Sequence, residues 1–89
     1  MNADFEEDYE EALRLLAERD EYRDHPIRYD SDGYIHEAMH TASIFIDSVD
    51  RHLMSHPAVI IDKELYRLAW EAHERLYRLY QALGKKWKD

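Results

Sequence analysis

The chain has no cysteine, and only two glycines and two prolines in 89 residues. Without cysteine there is no disulfide frame, no thiolate metal site and no cysteine nucleophile. With so little glycine there is no glycine-rich loop to cradle a phosphate. No apolar run approaches the ~20 residues that a bilayer span requires, so no membrane partner is expected. Cations are scarce too: twelve Lys and Arg stand against twenty Asp and Glu, for a net charge of −8. Lys85, Lys86 and Lys88 form the only basic cluster. Direct nucleic-acid binding is not expected, because phosphate contacts need clustered cations. The first twelve residues are acidic, unlike a signal peptide, and a cytoplasmic location is expected.

What the chain does have is helical period. In the stretch from Asp62 to Leu83, the residues Leu65, Ala69, Ala72, Leu76, Leu79 and Leu83 recur with spacing 4-3-4-3-4. That step keeps one stripe of a helix facing a partner. Tyr66, Trp70, His73, Tyr77 and Tyr80 form a second stripe, about 100° away on the helical wheel. The remaining surface is charged, with Glu71→Arg75 and Glu74→Arg78 in the favoured i,i+4 order. Residues 33–55 repeat the first spacing through Ile35, Met39, Ala42, Ile46, Val49 and Leu53. Two matched seams in consecutive segments predict an antiparallel helical hairpin, 33–55 against 62–83, with Ala42, Ala69 and Ala72 allowing close approach. Tyr34 and Phe45 widen one flank of the second helix, and Ile44 falls on its far side.

An N-terminal helix over 3–23, capped by Asn2 or Asp4, carries the thinnest stripe: Phe5, Tyr9, Ala12 and Leu16, flanked by Leu13 and Leu15. His25-Pro26 stops it. Ile27 and Tyr29 are expected to tuck back onto the bundle, and Asp30, Ser31 or Asp32 to cap the helix that follows. Ser55-His56-Pro57 ends that helix. The run Ala58 to Ile61 is too short to be assigned between strand, loop and helical turn. Asp62 caps the last helix, Gly84 closes it, and 85–89 is expected to fray as a basic tail with Trp87 as its one anchor. The fold class expected is all-α: a single domain over 1–89, built as an antiparallel three-helix bundle.

Charge is divided unevenly. Residues 1–24 carry net −7, residues 25–56 net −3 and residues 57–89 net +2. Acid early and base late favour the dipoles at the two chain ends and place the first helix near the last.

Three motifs bear on chemistry. His36-Glu37-Ala38-Met39-His40 matches the H-E-x-x-H pattern of zinc-dependent proteases, where two His at i and i+4 hold the metal and Glu is the general base. Measured from Ile35, His36, His40 and Glu37 fall about 100°, 140° and 200° round the wheel, away from the seam. Residue 43 is Ser rather than the Gly of the extended pattern, and an 89-residue chain leaves little room for a cleft. Glu37 to His40 is also a single Glu-x-x-His step, where a di-iron bundle needs two. Asp30-Ser31-Asp32-Gly33 resembles the middle of a calcium loop, but positions 1 and 12 would be Arg28 and Met39.

His52 and His56 form a second i,i+4 pair, so titration near neutral pH is a further way to alter association. The aromatic stripe is either covered by the first helix or forms an interface, with Tyr66, Trp70, His73, Tyr77, Tyr80 and Ile44 as the interface residues. The function expected is that of a small, acidic, non-enzymatic protein-binding regulator or adaptor that self-associates as a homodimer and needs no cofactor. Two alternatives remain. One is a divalent-metal protein holding zinc on His36 and His40. The other is an acidic nucleic-acid mimic using the carboxylates of residues 4–24.

Overall fold

The computed structural model describes residues 4–20 and 28–88, and every regular element among them is helical. There are four α-helices: α1 (Phe5–Asp20), α2 (Asp32–Ser48), α3 (Pro57–Ile60) and α4 (Lys63–Lys88). A π-helical turn, Val49–Leu53, continues α2. The expected cap at Asn2, the stop at His25-Pro26 and the contribution of Ile27 lie outside the described residues.

Local chemistry sets the helix starts. Asp4 opens α1, its Oδ1 accepting from the Glu6 N–H at 3.1 Å. Asp62 does the same for α4, taking the N–H groups of Glu64 at 3.0 Å and Leu65 at 3.2 Å. Each side chain satisfies donors that the first helical turn leaves without a partner. Ser31 precedes α2 in extended backbone, but no side chain caps that helix. Just before it, Arg28 donates to both carboxylate oxygens of Asp30 at 3.3 Å. That hydrogen bonding, with the guanidinium charge, holds the Asp30 carboxyl below its ordinary range. The residue at the first position of a calcium loop is thus a cation tied to one of the two carboxylates.

The run after Ser55 resolves into a helical turn. Pro57 occupies its first position, where a missing N–H costs nothing. The His56 Nδ1 accepts from the Ala58 N–H at 3.1 Å, so His56 acts as a cap. His52 and His56 therefore do not share a helix end as the sequence spacing suggested.

The helices α2 and α4 lie side by side in opposite directions and make the principal contact among the described elements. His36, in the first turn of α2, meets Trp87 in the last turn of α4. Met39 Cε lies 3.5 Å from where a Cβ on Gly84 would sit. Ile35 and Ala42, at 8% and 5% exposure, are the buried residues among those described. Met39, Ile46, Val49, Ala69, Leu76 and Leu83 are half-buried around them.

Three expectations change. The helix does not close at Gly84 and residues 85–88 do not fray, because Gly84 keeps right-handed backbone and α4 runs on to Lys88. Glycine inside a helix costs roughly 1 kcal/mol; Met39 lies over this turn, and beyond it Trp87 reaches His36. The seam of α2 does not reach Leu53. In the π-helical turn the Met54 N–H donates to the Val49 carbonyl at 2.9 Å. That turn takes in one extra residue, so Met54 is half-buried and Leu53 turns outward. The pairs Glu71–Arg75 and Glu74–Arg78 are not among the ion pairs of the described residues. Exposed pairs of this kind gain little and cost side-chain entropy.

The largest difference concerns α1. Its class is as expected, but it does not close over the other two helices as a three-helix bundle requires. Phe5, Tyr9, Leu13 and Leu15 are exposed, and only Leu16 is half-buried. The molecule measures 53 × 32 × 20 Å with a radius of gyration of 16.7 Å, against about 12 Å for a compact chain of this length.

Candidate functional site: two flanks of the α2–α4 pair

The sequence puts two apolar stripes on α4, and the structure buries neither as a whole. The line facing α2 runs through Ala69, His73, Leu76, Tyr80, Leu83 and Trp87. It takes members of both stripes and again follows the 4-3-4-3-4 step. A physical reason lies in the side chains. Leucine and tyrosine both bring large apolar area, so a midway rotation buries parts of each. The cost is that the outer half of each stripe stays in water.

One outer half is aromatic. Trp70 is 49% exposed and Tyr77 47%, with Tyr66 beside them. His73 and Tyr80 lean inward instead. With Ser43, Ile46, Asp47 and Asp50 of the facing segment they line a recess of about 260 Å³. Asp47 is engaged there by Arg51 at 3.2 Å. Of the expected interface residues, Tyr66, Trp70, His73, Tyr77 and Tyr80 therefore share one flank. Ile44 does not join them. It is exposed on the far side of α2.

The other outer half is aliphatic and forms a groove of about 440 Å³. Tyr34, Ala38 and Phe45 of α2, with the carboxylate of Glu37 among them, make one wall, and Leu76, Leu79 and Leu83 of α4 the other. Phe45 is 55% exposed and Leu79 50%. Beside this groove, the Tyr29 ring lies 5.2 Å from that of Tyr34. The sequence reading missed this groove by assigning Leu65, Ala72 and Leu79 to the buried seam. All three are exposed. Tyr34 and Phe45, on the same side of α2, mark one wall in the sequence, but the other wall depends on how α4 is rotated.

The His36 and His40 pair stands on exposed surface, as does Glu37. The His36 ring lies 5.2 Å from that of Trp87. Among the described residues, no three His, Cys, Asp or Glu come close enough together to hold a metal ion. A zinc centre needs at least three protein ligands, and two solvated imidazoles supply only part of that set.

Charge is also displayed. The acids Glu6, Glu7, Asp8, Glu10 and Glu11 of α1 all face solvent. Arg14 pairs with Glu11 and, at 2.8 Å, with Glu18. Among the described residues, no helix is long and apolar enough to cross a membrane. Comparison with family models, curated proteins and solved structures gives no match to this chain.

Proposed function

We propose that this is a non-enzymatic protein-binding module of regulatory or adaptor type that also self-associates. Its α2–α4 pair presents the aromatic flank of Tyr66, Trp70 and Tyr77 to a protein partner. The observation that carries the reading is surface area. The chain exposes 7838 Å², whereas a compact monomer of 10.8 kDa exposes about 5,500 Å². The surplus exceeds the share that one partner contributes to an ordinary interface, about 800 Å². Trp70, Tyr66 and Tyr77 are among the exposed large side chains, and Trp and Tyr are the residue types that dominate binding hot spots.

Affinity purification of wild-type and Trp70→Asp chains tests the proposal. A partner that copurifies stoichiometrically with the wild type and is lost from Trp70→Asp supports it. A partner held equally by both chains removes the aromatic flank from the account.

The exposed carboxylates of α1 favour a second reading, an acidic mimic of nucleic acid. Salt separates the two. At about 0.5 M the screening length falls to roughly 4 Å, which releases a charge mimic from its target and leaves an apolar contact in place.

A further inference from the structure

The aliphatic groove and the apolar face of α1 are both uncovered within one chain, and they match. The stripe from Phe5 to Leu16 and the groove wall from Tyr34 to Phe45 each span about 17 Å at helical rise. They also match in charge. Over its length α1 has seven acids against two bases, and α4 has seven bases against three acids. Glu6 and Asp8 border the α1 stripe on opposite sides. Lys86 stands seven residues after Leu79, on its side of α4, and is in no ion pair among the described residues. Arg75 lies further round, lining a recess with Trp70 and Glu74, and Glu37 is the one acid in the groove lining.

We infer that the groove's occupant is a second copy of this chain. The α1 helix of one copy lies along the groove of the other, and the exchange is reciprocal. This rests on the reading of the protein as a self-associating module, and it names the surfaces. Exchange suits the geometry of the chain, in which α1 stands away from its own groove. A reciprocal contact uses the same two surfaces twice and closes at two copies, so neither the groove nor the α1 stripe is left over to build a fibre. Apolar residues of α1 supply the burial, and the match of acidic α1 to basic α4 sets orientation.

The test is sedimentation velocity over a micromolar-to-millimolar dilution series. The samples are the wild type, Leu79→Glu, Tyr9→Glu and an equal mixture of these two variants. Both altered residues are about half exposed (Leu79 50%, Tyr9 54%), and circular dichroism verifies that helix content is kept. Phe45→Glu serves as a second groove variant. The wild type is expected to sediment as two chains. Each variant alone should weaken association by about tenfold or more. The mixture should recover two-chain species, because one variant keeps a sound α1 and the other a sound groove. A wild type that is a single chain throughout overturns the inference. So does a dimer that survives Tyr9→Glu but not the groove variants, or a mixture that stays single-chain. None of these outcomes touches Trp70 on the opposite flank, so the aromatic-partner reading stands or falls by its own purification experiment.

Discussion

The ring of Trp87 lies 5.2 Å from the ring of His36, tilted by 41°, and ties the last turn of α4 to the first turn of α2. A residue expected to sit in a frayed tail is thereby one end of the clasp between the two principal helices. An aromatic contact of this kind is worth about 0.5–1.5 kcal/mol beyond its buried area. Trp87→Ala is expected to melt the end of α4 and lower the thermal midpoint by roughly 5–10 °C, read by circular dichroism. His36→Ala should produce a smaller shift. An unchanged midpoint in Trp87→Ala would mean that the last turn carries no stability.

Gly84 offers a test of opposite sign. The sequence suggests a left-handed cap there, where a side chain is strained. The structure has it inside a right-handed helix with ordinary contact distance to Met39. Gly84→Ala should therefore stabilise the chain by about 0.5–1 kcal/mol, measured by urea denaturation. Destabilisation would restore the helix end to Gly84.

The two alanines Ala42 and Ala72 separate the observed rotation of α4 from the expected one. Ala42 is buried and Ala72 exposed. Ala42→Leu should force α2 and α4 apart at a cost of about 1–3 kcal/mol, while Ala72→Leu should stay within roughly 0.5 kcal/mol of wild type. Equal penalties at both sites would return Ala72 to the seam.

The caps give a fourth measurement. Asp62→Ala removes the acceptor for two N–H groups of α4 and should cost about 1–2 kcal/mol. His56→Ala removes the acceptor for one N–H group of the four-residue α3 and should cost about 0.5–1 kcal/mol. A His56→Ala chain with wild-type stability would show that α3 holds without its cap.

The Arg28 and Asp30 pair predicts a pH effect. The Asp30 carboxyl is depressed in the folded chain, so its small contribution is present at neutral pH. It is lost as pH falls through the folded-state value. Carboxyl-carbon NMR should follow Asp30 titrating below the ordinary aspartate value, and Arg28→Ala should move it back towards that value. No shift on removing Arg28 would dissociate the pair.

Several of these features are written in local sequence. Asp62 is a strong capping residue placed just before apolar periodicity and caps as expected; of the two candidates for the first helix, Asn2 and Asp4, the structure shows Asp4 accepting from the Glu6 N–H. The all-α class follows from the 4-3-4 spacings of α2 and α4. What local sequence does not carry is rotation. Leu79 and Tyr77 compete for the same neighbour with similar apolar area, and the spacing rule is satisfied by three different lines along α4. The π-helical turn is equally silent, since Val49 to Leu53 has the composition of an ordinary helix end. The groove between Phe45 and Leu79 depends on that rotation and so was not legible. The exposed state of α1 was not legible either, because its stripe of Phe5, Tyr9 and Leu16 reads the same whether it meets its own chain or another.

Small-angle X-ray scattering over a dilution series tests most directly the central claim that the chain leaves its α2–α4 flanks for another protein surface to cover. The account predicts a particle of two chains at high concentration, falling towards one on dilution, with the radius of gyration of the dilute chain near the 16.7 Å of the open form. A one-chain particle of about 12 Å at every concentration would contradict it, because α1 would then have closed over the flanks of its own chain.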